Sequence, residues 1–559
     1  MLVMPKSKLA WRIGGVLLLS LPLARGESSL WPFALPAVPS MESSSHLTGV
    51  PVGDFDGDGF TDFLFLRDSR SRMPFTLVYG GNIDSPCMDI EAGELRSTEF
   101  TWGGGGFDVS YSLVYGHGDI NGDGMEDLIL GYFFDYVDPG AMKTFVVVVF
   151  GSDLSAESVV DLARVEANGT GFVLCLDTSS EVLPDIWTCS ATHVPAVGDF
   201  NGDGIDDFAL WRPTCFEKGS AVKLFLCLGQ ARWPSRVSID ELVSAGKAVL
   251  VDCVDAAGSE GLGSAKYHRV VPVGDLDGDG RAELAWAVAD SMYEEGGGMS
   301  AASWIIWGCA DLSALVGTAW IDLVAQGRAS SFRNLVLTGS AGDMDGDGFG
   351  DALAFTVPEK DPNQATFDSG QSEGIVIYGG TRQSMSPAGG LEWLNPGVNC
   401  TRLPPLPATP RYFPAGVRHM AGGTDLDGDG IPDIALANSS LEIAYGEFRA
   451  GRAGQVLLVA GVRGRPVTIA ADAGSGMLWA GTDHWERLGA PLSFSSRRSN
   501  GAEPFLYAVA GARLDIHGYA DSLSSSMPLR VACVPQGAGV PASLAVSHWR
   551  GVSSYRIMI

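Results

Sequence analysis

The chain is short of positive charge. Lys and Arg number 37 against 66 Asp and Glu in 559 residues, a formal charge of −29 at pH 7. Proteins that bind nucleic acid draw their affinity from Lys and Arg that neutralise phosphates, so the balance excludes that class. No C-x-x-C occurs among the nine cysteines, which leaves a zinc knuckle or a redox pair without support. There is no G-x-S-x-G and no H-E-x-x-H, the local signatures of serine hydrolases and zinc peptidases. No stretch has the period of a long amphipathic helix. Apolar runs are short as well. The longest, IGGVLLLSLPLA near the N-terminus, has 12 residues, too few to span a bilayer.

What the chain has in excess is one nine-residue phrase. It reads DFDGDGFTD from Asp54, DINGDGMED from Asp119, DFNGDGIDD from Asp199, DLDGDGRAE from Asp275, DMDGDGFGD from Asp343 and DLDGDGIPD from Asp425. Glycine stands at positions 4 and 6. Oxygen-bearing side chains stand at positions 1, 3, 5 and 9. They are Asp54, Asp56, Asp58 and Asp62, then Asp119, Asn121, Asp123 and Asp127, then Asp199, Asn201, Asp203 and Asp207. The later loops carry Asp275, Asp277, Asp279 and Glu283, then Asp343, Asp345, Asp347 and Asp351, then Asp425, Asp427, Asp429 and Asp433. A hard cation such as Ca²⁺ wants six to eight oxygens at about 2.3–2.6 Å. Those four side chains, with the carbonyl of position 7, supply such a shell, and the glycines let the backbone curl around it. Without a cation each loop would crowd three or four carboxylates that repel one another. An acidic surface turn would explain one copy; six copies with the same ligand positions point to about six Ca²⁺ per chain.

The flanks say which kind of loop this is. A helix–loop–helix calcium hand needs a bidentate Glu at position 12. Here position 12 is Phe65, Leu130, Leu210, Trp286, Ala354 or Leu436. The segments after the loops, such as DFLFLRD, DLILGYFF and DIALANS, read as strands, and short extended segments such as VPVGD precede them. A third strand then ends in glycine, as in FTLVYGG, TFVVVVFGS and GIVIYGG, and a weaker fourth follows. Four strands per unit make one propeller blade. Pro51, Pro195 and Pro272 fall in first strands, which suits an edge strand lining a channel. The phrase recurs every 65–82 residues, and a worn copy, RLDIHGYAD, spans Arg513 to Asp521. The expectation is an all-β, seven-bladed β-propeller of four-stranded blades, with calcium loops between first and second strands and a seventh loop that binds no metal.

The pattern VGD-x-DGDG-x-x-D, strand, VVVFG resembles the FG-GAP repeats, related to VCBS repeats, of integrin α-subunit heads and their bacterial relatives. FDVSYSLVYGHGDINGDGMEDLILGYFF is the closest stretch, and the resemblance covers roughly residues 46–530. It implies a seven-bladed propeller with its calcium loops on one face and ligand binding on the other. The chain departs from integrins in having more intact loops and in lacking their stalk, membrane span and inserted domain. The fold therefore carries over, and integrin-type signalling does not.

The remaining features bear on location and ligand. Lys6, Lys8 and Arg12 precede the apolar run, and Ala24 and Gly26 suit a cleavage site. Residues 1–26 are thus expected to be a signal peptide and 27–559 a single propeller domain that is secreted, periplasmic or on the cell surface, with no membrane span after cleavage. The loops hold 22 of the acids, so six Ca²⁺ would leave a charge of about −17. Cys227 and Cys253, on adjacent third and fourth strands, are the suggested disulfide. His46, His193, His268 and His419 start first strands and could ring one channel mouth, though chance placement along a wet channel is the simpler explanation. Trp211, Trp286, Trp304 and Trp307 are expected in the core, with Trp102 and Trp485 as ligand candidates. Asn168, Asn399 and Asn438 head glycosylation sequons. The expected role is adhesion or ligand binding, with an extracellular protein or glycan as partner. The alternative is a polysaccharide-degrading enzyme like the rhamnogalacturonan lyases, which also use calcium-rich propellers. Its carboxylates would come from a surplus such as Asp135, Asp138, Glu294 and Glu295. No catalytic residue is assigned.

Overall fold

The structure is a computed structural model. It describes residues 40–43, 46–67, 75–81, 88–90, 93–102, 110–111, 115–138, 141–154, 157–176, 196–212, 223–252, 267–289, 301–316, 318, 320–357, 373–385, 391–405, 419–426, 428–438, 443–445, 448–450, 454–469, 476–480, 492–494, 505–510, 529–535 and 545–548. Asp427, Cys253, His193, Trp485 and the worn copy at 513–521 lie outside these residues.

Small antiparallel sheets follow one another along the chain. In the third unit, Ala196–Gly198, Asp207–Arg212, Lys223–Cys227 and Ala248–Asp252 pair in chain order. The fourth unit repeats this with Tyr267–Pro272, Leu284–Ala289, Ala301–Ile306 and Ala329–Arg333. The fifth does so with Leu335–Gly342, Asp351–Thr356, Gly374–Ile377 and Cys400–Arg402. The first and sixth units have the same four-strand meander with one strand added, and the second has it with two. Every acidic nonapeptide lies between a first and a second strand, as the sequence suggests.

Second strands are apolar on both faces because both faces are covered. Side chains alternate with period two, and neighbouring residues enter different cores. Leu128 and Leu130 pack into the core shared with the first sheet, while Ile129 packs into the core shared with the third. Leu284 and Trp286 face the third sheet, and Ala285 faces the fifth. Ala352 and Ala354 face back, while Leu353 and Phe355 face the sixth sheet. The first six sheets thus stack in sequence order, each sharing a core with the next.

Two features of the pairing are not visible in the sequence pattern. The last antiparallel sheet orders Leu492–Phe494, Phe505–Ala510 and Leu529–Pro535, and its fourth strand is Ser40–Ser43 from the other end of the chain. Second, outer strands are flanked in parallel by a short piece of the following unit. Val159–Asp161 lies on Ser97–Thr101, and Arg236–Ser238 lies on Gly171–Cys175. Ala545–His548 lies on Gly476–Ala480, and Thr468 bridges Arg402. Met88–Asp89 of the first unit lies in the same way on Ser40–Ser43 of the last sheet. Such cover blunts edges that would otherwise recruit another chain.

Cys227 is a buried free cysteine across from Ala248, and Cys253, its suggested disulfide partner, lies outside the described residues.

Candidate metal centre

Each nonapeptide is wound on itself by its own acids. In all six, the position-6 N–H donates to Oδ2 of position 1 at 2.7–3.0 Å. The position-7 N–H donates to Oδ1 of position 5 at 2.8–3.1 Å. In five loops the position-5 N–H also donates to Oδ1 of position 3, at 2.8–3.2 Å. The turn needs φ of 84–94° at the second glycine. A Cβ at Gly124, Gly204, Gly280, Gly348 or Gly430 would meet no atom within 4 Å, so backbone conformation alone demands glycine there.

Position 9 begins the second strand or immediately precedes it, and is at most 1 % exposed in every loop. In five loops its carboxylate accepts two backbone N–H groups at 2.7–3.1 Å, one from position 2 and one from the glycine that ends the third strand. Asp62 takes Phe55 and Gly80; Asp127 takes Ile120 and Gly151. Asp207 takes Phe200 and Gly229; Asp351 takes Met344 and Gly379; Asp433 takes Leu426 and Gly461. This explains the terminal glycine of the third strand. A Cβ at Gly379 would stand 2.1 Å from the Gly350 carbonyl oxygen, and one at Gly461 2.2 Å from that of Pro432. In Asp62, Asp351 and Asp433 each carboxylate oxygen keeps a second lone pair for metal ligation, whereas Asp207 Oδ2 also takes the Asn201 N–H and Asp127 Oδ1 the Asn121 amide.

Burial pushes these carboxyls well above their ordinary range. Asp62, Asp127 and Glu283 rise to about 8, and Asp207 and Asp351 to about 7, with desolvation as the leading cause and neighbouring acids adding to it. A bound cation would oppose the shift. In the metal-free protein the native state holds protons that the unfolded chain has released, so stability falls as pH rises from about 4 to about 8. The expected result in EDTA is a lower melting temperature at pH 8 than at pH 5.5. Saturating calcium should reverse the slope, because ligation needs the deprotonated form. An EDTA curve that rises with pH would contradict the buried, protonated position 9.

The structure gathers ligand atoms in three loops among the described residues. Asp54, Asp56 and Asp58 bring carboxylate oxygens within 4.8 Å of one another, as do Asp343, Asp345 and Asp347. Asp275, Asp277 and Asp279 are joined by Glu283 within the same distance. Glu283 has one methylene more than the aspartates. Its Oε2 accepts the Leu276 N–H, and its buried Oε1 makes no full hydrogen bond. The donor set is oxygen only, and a buried carboxylate oxygen is aimed into it, which fits a hard divalent ion. At Asn121 and Asn201 the amide Nδ2 instead donates to Asp123 and Asp203, at 3.0 and 3.1 Å. Asp119 and Asp199 lie beside them at position 1. The sixth loop brings Asp425, Asp429 and Asp433 into the same hydrogen-bonded turn.

Consecutive loops touch. The position-8 N–H donates to the position-1 carbonyl of the preceding loop, from Glu126 to Asp54 and from Asp206 to Asp119, both at 3.1 Å. Ala282 donates to Asp199 at 2.8 Å and Gly350 to Asp275 at 2.7 Å. In the sixth loop position 8 is Pro432, which has no N–H.

Other sequence candidates fare differently. Trp286, Trp304 and Trp307 are buried, and the first two stack at 4.8 Å. Trp102 packs on Phe145 at 5.4 Å against the first core, so it is not a free ligand platform. Asn438 is fully buried and cannot receive a glycan in the folded chain. His46, His268 and His419 do lie near the start of first strands. Sequence reasoning missed three arginines, Arg96, Arg382 and Arg465, which form ion pairs with loop acids. It also missed His117, whose Nδ1 lies 3.0 Å from Glu126 Oε2. A Tyr or Trp just before the third-strand glycine, at Tyr79, Trp307 and Tyr378, marks the loops that have such an arginine. No helix among the described residues is long and apolar enough to cross a membrane. No family model matches the chain, and no curated protein matches it at a significant level.

Proposed function

We propose that the chain is a secreted seven-bladed β-propeller that holds about six Ca²⁺ and serves as an extracellular adhesion or ligand-binding module. One observation carries the ring. The parallel cover of an outer strand by the following unit recurs from unit to unit, and it also joins Met88–Asp89 of the first unit to Ser40–Ser43 in the last sheet. A linear stack would have no reason to treat its last sheet and first unit as neighbours. The acid-wound loops support calcium as the ion. Calcium would fix the loop edge of each blade and leave the surface away from the loops to a protein or glycan.

Elemental analysis of the purified chain, dialysed against millimolar calcium, tests the metal content. The expected value is about six ions per chain from the ligand count. Asp279→Ala should remove one and leave the rest. One or two ions in the parent protein would sink the proposal. A glycan array read with calcium and with EDTA tests the ligand side, and cleavage of an arrayed polysaccharide would overturn binding in favour of catalysis.

A further inference from the structure

The acids at positions 3 and 5 are held in two different ways. In the three described loops where position 3 is Asp, a guanidinium lies against both. Arg96 bonds Asp56 and stands 3.6 Å from Asp58 Oδ2. Arg382 bonds Asp277 and reaches Asp279 Oδ2 at 2.7 Å. Arg465 bonds Asp345 and reaches Asp347 Oδ2 at 2.7 Å. Each guanidinium also stacks on a ring, on Tyr79 at 4.5 Å, Trp307 at 5.6 Å and Tyr378 at 4.8 Å. Where position 3 is Asn, in the loops at Asp119 and Asp199, no arginine bonds a loop carboxylate among the described residues. There the Asn amide donates to the position-5 Oδ2 instead. The residues in the ring position are Phe150 and Leu228. Charge explains the pairing of features. Four carboxylates with one guanidinium carry the same net charge as three carboxylates with an amide. The loop at Asp275 has a further partner, Arg281, at 2.8 Å from Asp279 Oδ2.

We propose that Arg96, Arg382 and Arg465 are latches that hold the position-3 and position-5 carboxylates of three loops and must release them when a divalent cation binds, so that these loops fill at higher calcium concentration than the loops at Asp119 and Asp199. This inference rests on the calcium reading of the loops. The ion needs the carboxylates that the guanidinium holds by charge-assisted bonds. A cation left a few ångströms from Ca²⁺ repels it. The aromatic ring gives the released guanidinium a resting place through a cation–π contact. Glu283 supplies the independent sign that a cation enters a latched loop. It is fully buried, its Oε1 makes no full hydrogen bond, and it lies within 4.8 Å of Asp275, Asp277 and Asp279.

Calorimetric titration of the calcium-depleted full chain tests the latch. The parent protein should show tight and weak classes of site. In the triple variant Arg96→Met, Arg382→Met, Arg465→Met the weak class should tighten, by about tenfold for the loss of one nearby charge, and the isotherm should approach a single class. Arg465→Met alone should move one site. The three arginines are 35–45 % exposed along their side chains, so substitution spares the core, and an unchanged far-ultraviolet spectrum confirms the fold. Calcium uptake that is unchanged or weakened in the variants overturns the latch alone. Absence of any calcium uptake by the parent chain overturns the calcium reading, and the latch with it.

Discussion

EDTA is expected to lower the melting temperature at neutral pH, and calcium to restore it. Extracellular calcium modules bind with dissociation constants of about 10⁻⁴–10⁻³ M. At about millimolar calcium each site then contributes roughly 0.4–1.4 kcal/mol by mass action, and six sites roughly 2–8 kcal/mol. That is comparable to the whole net stability of a typical domain, about 5–15 kcal/mol. With an unfolding entropy of about 2.1 cal/mol/K per residue, a domain of this length would lose roughly 2–7 °C. Repulsion adds to the loss, because chelation leaves 22 ligand acids facing one another. Lowering the pH in a calcium buffer should act in the same direction, since protonated carboxylates release the ion. A differential scan that does not move with EDTA would mean that the loops do not hold calcium or that the fold does not use it.

The second large effect separates two acids of one loop. Asp127→Ala removes the acceptor of the Ile120 and Gly151 N–H groups in a fully buried site. Each orphaned buried donor costs about 1–3 kcal/mol. With one calcium site lost as well, the sum is roughly 2–7 kcal/mol. Asp123→Ala sits on the exposed rim and releases the Met125 N–H and an amide N–H of Asn121 to water. It should cost only the calcium term, about 0.4–1.4 kcal/mol. In EDTA the two variants should therefore diverge, with Asp127→Ala still severely destabilised and Asp123→Ala close to the parent. Urea midpoints measured with and without calcium check this. Equal midpoints in EDTA would show that position 9 has no structural role.

Much of this was legible because it is local. The turn glycines, the acids that wind each loop and the strand that follows all fall within about a dozen residues, where spacing dictates geometry. The third-strand glycine was visible as a pattern, but its cause was not. It needed the approach of Gly379 to the Gly350 carbonyl, and the bond from its N–H to Asp351. What escaped is what crosses between units. Arg382 meets Asp277 across 105 positions and Arg465 meets Asp345 across 120, and no period in a single sequence announces such a pair. Ser40–Ser43 has the composition of a tail, yet pairing with Leu529–Pro535 makes it a strand. Trp102 looked like a loop residue beside a run of glycines, and packing on Phe145 drew it into the core. The flanking strands of three residues, such as Val159–Asp161, are too short to carry alternation.

The backbone hydrogen bond that links one loop to the next gives the acidic rim a grammar of its own. From Asp54 to Gly350 each loop lends its first carbonyl to the eighth residue of its successor, so ordering one loop places an acceptor where the next must fold. Such an array behaves as a one-dimensional chain of nearest neighbours, in which order spreads from any starting point and stops at a missing link. Proline at 432 is that missing link. Five loops are joined into one string by this bond and the sixth is not, so if the loops take calcium, the sixth is the one whose filling this route would not pass on.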